Sequence, residues 1–261
     1  MRLKDKVAII TGGASGIGKA IAERFGREGA TLVIADINDA AIEATVAELT
    51  AKGCRTIGQT CNVAIREHTQ ELARSVVDKL GRIDILLNNA GISRYRPFAE
   101  ATGEDWDAVL GVDLKGVFFC SQAVAPQMRL QNYGRIVNIS SALGTGAAPH
   151  NTAGSPGGSA AYASAKAGVV QLTKTLAREL GPHGITVNAI APGTFLTPIS
   201  SSNRTPEQLA EHLEYRKKTT VLGRLGTLDE LVSCILFFAS DESSYVTGHT
   251  MNVDGGRSDR I

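Results

Sequence analysis

Six short β-rich runs, each separated from the next by a stretch with helical patterning, constrain this chain more than any other feature. Lys6–Thr11, Thr31–Ala35, Arg55–Thr60, Ile83–Asn88, Arg135–Ser140 and Thr186–Ala191 read as strands. Between or after them, Ile17–Gly26, Ala40–Ala51, Glu67–Leu80, Trp106–Gln127 and Tyr162–Leu180 read as helices. Val7-Ala8-Ile9-Ile10 and Ile83-Asp84-Ile85-Leu86-Leu87 are close to continuously apolar, the pattern of strands covered on both faces. Such alternation predicts an α/β fold with a doubly wound parallel sheet and helices on both sides. No repeat or linker divides the 261 residues, so residues 1–261 read as a single domain.

Two segments break the rhythm. Residues 142–159 are rich in Gly and Pro and lack periodicity, which predicts a long functional loop on the substrate side. Residues 194–225 begin polar and then read as a helix from Pro206 to Lys218, with Thr205 as N-cap; the segment reads as a lid.

Charge and cysteine content narrow the partners. Against 27 basic residues stand 26 acidic ones, a net +1, so nothing draws the chain to nucleic acid or an anionic membrane. No apolar run reaches the roughly 18 residues of a spanning helix, and the start shows no cleavable signal pattern. Cys54, Cys61, Cys120 and Cys234 form no CxxC and no set with metal-ligand spacing. A reduced, cytoplasmic setting without a metal is expected.

The first strand ends in Thr11-Gly12-Gly13-Ala14-Ser15-Gly16-Ile17-Gly18, and a helix begins at once. Glycines there make a tight turn, let a pyrophosphate reach the backbone and allow close helix packing, while the helix N-terminus offers free N–H groups. Asp36 ends the second strand, 18 residues beyond Gly18. A carboxylate at that place accepts the ribose hydroxyls of NAD and repels the 2′-phosphate of NADP. Ala14, Ser15 and Ile37 stand where a 2′-phosphate needs a cation, so NAD is the expected cofactor.

Tyr162 and Lys166 are four apart and share one helix face. A tyrosine hydroxyl is ordinarily a poor base at neutral pH, and an adjacent ammonium favours its ionised form. Glycine turn, carboxylate and Tyr/Lys pair together resemble the short-chain dehydrogenase/reductase family, over essentially all of Leu3–Gly256. Further motifs follow in order: Asn88-Asn89-Ala90-Gly91, Gly134 to Ser141, Asn188 to Gly193 and Val253-Asp254-Gly255-Gly256. The resemblance implies a single-domain Rossmann-like sheet of about seven parallel strands, assembled as a homotetramer.

It also implies roles, position by position. Tyr162 would be the acid/base, Lys166 its activator and a ligand of the nicotinamide ribose, and Ser141, rather than Ser140, the donor to the reacting oxygen. Gly12, Ser15, Gly16, Ile17 and Gly18 would hold the pyrophosphate, Asp36 and Ile37 would meet the adenosine ribose, and Asn62 and Val63 the adenine. Asn89, Ala90 and Gly91 would pass near that ribose, while Pro192, Gly193, Phe195 and Thr197 would hold the nicotinamide amide and phosphates.

Three departures from the family pattern stand out. Asp113 takes the place of an Asn in the catalytic set, which predicts surviving activity with a shifted pH profile. Asn62 stands where Asp is common, and the 21 residues from Ser141 to Tyr162 exceed the usual interval. Arg94, Arg96 and His150 are candidate substrate contacts. The expected activity is NAD-dependent interconversion of a secondary alcohol (sugar, polyol, cyclic diol or hydroxy acid) and its ketone, with oxidation favoured. The alternatives are a 3-oxoacyl-carrier-protein-type reductase, which normally wants NADPH, and a silent NAD-binding sensor or scaffold.

Overall fold

The computed structural model describes residues 1–94, 96–146, 160–195 and 205–257. Successive strand residues face opposite sides of a sheet, and both sides of β1 (Val7–Thr11) are buried. Ala8 and Ile10, with Leu32 and Ile34 of β2 (Thr31–Asp36), pack against α1 (Gly16–Arg27) and α9 (Leu228–Ala239). Val7 and Ile9, with Val33 and Ala35, pack under α3 (Arg66–Leu80), α5 (Gly116–Gln131) and α7 (Ala160–Leu180). Two cores on two faces explain why these strands are apolar without alternation.

Adding β3 (Thr56–Thr60), β4 (Ile85–Asn88), β5 (Gly134–Ile139), β6 (Ile185–Pro192) and β7 (Thr250–Val253) completes a sheet of order β3-β2-β1-β4-β5-β6-β7, parallel at every pairing. This is the Rossmann-like doubly wound architecture expected. Strand order reverses between β1 and β4, and the crevice past their carboxyl ends is where such sheets bind ligands.

Sequence patterning missed β7 and α9. β7 is only four residues with a polar Asn252 at its centre, and it pairs with β6 through Ala189↔Thr250 to Pro192↔Val253. α9 carried a readable start, since Thr227 and Glu230 form a reciprocal capping box. The helix expected over Trp106–Gln127 is longer and interrupted. It runs as α4 (Gly103–Leu110), a π turn (Gly111–Lys115) and α5, closed by Asn132 in the left-handed conformation at φ 48°. α2 (Asp39–Ala51) is capped by Asn38, whose side chain accepts from Ala41 N–H. α8 (Pro206–Lys218) has the predicted bounds and a Thr205 capping box. The single turn α6 (Ala142–Thr145) opens the long loop; residues 147–159 of that loop, His150 among them, and residues 196–204 of the expected lid lie outside the described residues.

Candidate active site

The crevice is built first by Thr11. Its hydroxyl donates to Leu87 O at 3.2 Å and accepts from the N–H groups of Asn89 and Ala90, both at 3.1 Å, which locks the ends of β1 and β4 together. Asn89 Nδ2 donates to the carbonyls of Thr11 and Gly12. Gly12 sits at φ 63°, and a Cβ there would come within 2.9 Å of Ala90 Cα, so the turn requires glycine. Gly18 works by contact rather than by lining the crevice: a Cβ would collide with the Gly12 carbonyl, so only glycine lets α1 close on the turn. Ser15 precedes α1 without a side-chain cap, which leaves the first-turn N–H groups for an anion.

Asp36 is held at the rim by backbone. Its Oδ2 accepts from Ala14 N–H at 3.2 Å, and Oδ1 from Ile37 at 2.8 Å and Asn38 at 3.3 Å. Ile37 beside it is 68% exposed. Asn62 Oδ1 accepts from Ala64 N–H at 3.0 Å and shapes the turn after β3.

These groups open on a cavity of about 350 Å³. The size lies within the range of small-ligand sites. Gly12, Ser15, Gly16, Ile17, Asp36, Ile37, Asn62, Val63, Asn89, Ala90, Gly91, Asp113, Tyr162 and Lys166 all line it. So do Cys61, Ile92, Ser93, Val112 and Ile139, which motif reasoning did not select. Cys61 and Ile139 end or follow parallel strands, and that position was the readable signal. Burial pushes the Cys61 thiol up to about 11, so it stays protonated at neutral pH.

Lys166 is nearly enclosed. Its Nζ donates to Ile139 O at 3.0 Å, meets Asp113 Oδ2 at 3.1 Å and lies 5.5 Å from the centroid of the Tyr162 ring. Burial opposes its charge, but the Asp113 carboxylate and the Tyr162 phenol more than offset that, and the ammonium titrates above its ordinary range. α7 is fixed by a buried polar chain. Asn88 Nδ2 donates to Ser121 Oγ and Asn138 Oδ1, and Asn138 Nδ2 donates to Thr173 Oγ1 at 2.9 Å.

The two serines differ in their hydrogen bonds. Ser140 Oγ donates to Lys166 O at 2.9 Å and is committed to holding α7, whereas Ser141 Oγ accepts only from Leu143 N–H among the described residues. Ser141 does not itself line the cavity, nor do Pro192 and Gly193, whose turn is pinned by Gly193 N–H to Val253 O at 2.8 Å. Phe195 is buried against Gly226 and lines a second, smaller cavity. Thr197 lies outside the described residues. Arg94 and Arg96 do not enter the cavity; both pair with Asp105, at 3.4 and 2.6 Å, and tie down the loop before α4.

The donor set suits a dinucleotide: uncapped N–H groups for phosphates, a rim carboxylate for ribose hydroxyls, and side-chain-free backbone at Gly12 and Gly91. The fold is that of the short-chain dehydrogenase/reductase family, and the chain belongs to it. A family model described as Enoyl-(Acyl carrier protein) reductase matches residues 12–258. The chain is 44% identical to the 3-oxoacyl-(acyl-carrier-protein) reductase FabG of Thermotoga maritima, over 98% of this chain and 99% of that one. It is 42% identical to the (2S)-((R)-hydroxy(phenyl)methyl)succinyl-CoA dehydrogenase subunit BbsD of Thauera aromatica, over 99% and 98%. The crystal structure of levodione reductase superposes with a TM-score of 0.89 at 32% identity, covering all of both chains. The protein is thus an oxidoreductase of the kind that acts on carbonyl and hydroxyl groups.

Proposed function

We propose that the protein interconverts a 3-hydroxyacyl and a 3-oxoacyl thioester with NAD as the hydride carrier. The observation that carries the chemistry is the enclosed Tyr162–Lys166 pair in the cavity whose rim bears Asp36. Two relatives above 40% identity, named for a carrier-protein-bound and a CoA-bound acyl group, support the thioester. They favour the 3-oxoacyl reading over the sugar, polyol, cyclic diol or hydroxy acid expected first.

Tyr162 takes the proton of the alcohol, or returns it to the ketone oxygen, and Ser141 orients that oxygen. Lys166 holds the ribose hydroxyls and supplies positive charge beside the phenol. The bound nicotinamide supplies the hydride chemistry. Gly12, Ser15, Gly16 and Ile17 hold phosphate oxygens, and Asn62, Val63 and the Asn89–Gly91 backbone flank the adenosine. Asp36 supports NAD because no cation stands at Ala14, Ser15 or Ile37. Asp36→Ala is expected to lower the preference for NAD over NADP by about tenfold to a hundredfold, as loss of a charged hydrogen bond does. Unchanged preference defeats the NAD assignment.

The substrate assignment is tested by kcat/KM for 3-oxobutyryl-CoA and 3-hydroxybutyryl-CoA against a panel of sugars, polyols, cyclic diols and hydroxy acids. A polyol or sugar outrunning the thioesters sinks it. Cofactor binding without turnover on any of them favours the sensor.

The same reading takes the chain as one domain, since both cores share one sheet. Free Cys54, Cys61, Cys120 and Cys234 support a reduced, cytoplasmic setting. The run Gly103–Gln131 supports a homotetramer. Contrary to the sequence expectation, this 29-residue helix is long and apolar enough to cross a membrane by length and composition alone, yet it packs on α3 and α7. Trp106 and Phe118 stay exposed on it, a face suited to another subunit.

A further inference from the structure

Asp113 lies in the stretch of the 103–131 helix that leaves α geometry. Gly111–Lys115 forms a π turn, a rare form concentrated at functional sites. The turn delivers a fully buried carboxylate onto the Lys166 ammonium at 3.1 Å. A buried ion pair brings little stability over an apolar pair of similar size, so folding alone does not account for it. Its Oδ1 accepts from Ile92 N–H at 2.8 Å, which fixes the carboxylate. Gly91 makes the room: a Cβ there would stand 2.9 Å from Asp113 Oδ2 and 3.5 Å from Lys166 Nζ.

We infer that Asp113 is a positioning residue that compensates the charge of Lys166 and so raises the pH range in which the Tyr162 phenol serves as base. The inference rests on the alcohol–ketone chemistry proposed above. An ammonium draws negative charge onto a neighbouring phenol; a carboxylate on its other side cancels part of that field. Phenol, ammonium and carboxylate therefore form one electrostatic unit.

The remaining groups do not override this balance. On the 103–131 run, Lys115 turns over the Phe119 ring at 5.8 Å and Asp105 is held by Arg94 and Arg96. β5 presents the neutral Ile139 carbonyl and the segment after β4 the Ile92 N–H, while burial keeps the Cys61 and Cys120 thiols protonated. Asp36, at the rim after β2, is turned onto backbone N–H groups.

Two readouts test it. Tyrosinate absorbance is titrated in wild type minus Tyr162→Phe, and in Asp113→Asn minus Asp113→Asn/Tyr162→Phe. The isolated midpoint is expected about one pH unit lower in the Asn pair, the size of a nearby charge removed at intermediate dielectric. In parallel, the acid limb of kcat/KM for alcohol oxidation moves down by a similar amount. Equal midpoints, a rise, or a drop in kcat with an unmoved profile overturns the inference. Should no alcohol be oxidised, the functional reading fails while the absorbance titration still decides this one. Asp113→Ser, which keeps an acceptor for Ile92 N–H, replaces the Asn variant if that does not fold.

Discussion

Tyr162 and Lys166 stand on successive turns of α7, and what surrounds them decides what each can do. Lys166 is walled in by Ile139 O, Asp113 and the Tyr162 ring, so it acts as a fixed charge and not as a proton donor to solvent. Tyr162 faces the cavity. Tyr162→Phe keeps the ring and removes the proton carrier. Turnover is expected to fall by about a hundredfold to ten-thousandfold, the usual weight of a positioned acid/base, while NADH fluorescence titration shows cofactor binding within a few-fold of wild type. Comparable turnover in both proteins removes Tyr162 from the mechanism. The i, i+4 spacing of this pair and the glycine turn were legible because they depend on local geometry. Ile92 and Val112 were not, because an apolar residue on a cavity wall looks in sequence like one in the core. The same limit holds at Phe195, where only the tertiary structure packs the ring on Gly226.

Elements are held in place by specific side-chain hydrogen bonds. α7 is pinned through Asn138 and Thr173, and α9 begins with Thr227 and Glu230 capping each other's backbone N–H groups. Thr227→Ala is expected to cost about 1 kcal/mol in urea denaturation, the usual price of an N-cap. The partner Glu230 adds a pH dependence. Arg224, and then the Thr227 N–H, pull its carboxyl from 4.5 down to about 2. Because the folded value is depressed, the contribution is complete above the unfolded value and is lost as pH falls through the folded one. Unfolding midpoints of wild type should therefore decline between pH 4.5 and 2. Glu230→Gln should start lower and decline less over that window; parallel curves exclude the contribution. The Thr-x-x-Glu pattern was readable, whereas the π turn was not. Nothing in Gly111-Val112-Asp113-Leu114-Lys115 breaks an α-helical pattern, and the wider turn appears where the chain carries Asp113 to Lys166.

At the scale of the whole molecule, the proposed subunit contact falls on the 103–131 helix. Phe118 and Trp106 are 39% and 42% exposed on an otherwise apolar run. Phe118→Lys places a charge in the proposed subunit contact and is expected to shift the mass seen by light scattering towards dimer or monomer, with the far-ultraviolet circular dichroism unchanged. An unchanged mass excludes this face from the assembly.

Sequence by itself determined the parallel sheet, the glycine turn, the carboxylate after β2 and the Tyr/Lys pair, because each is written in neighbours or in a short repeat period. Tertiary structure alone decided that β7 joins the sheet edge, that Arg94 and Arg96 serve Asp105, and that Asp113 reaches Lys166 across 53 residues of chain. Those outcomes depend on which side chain fills the space beside another, a long-range quantity that no local pattern carries.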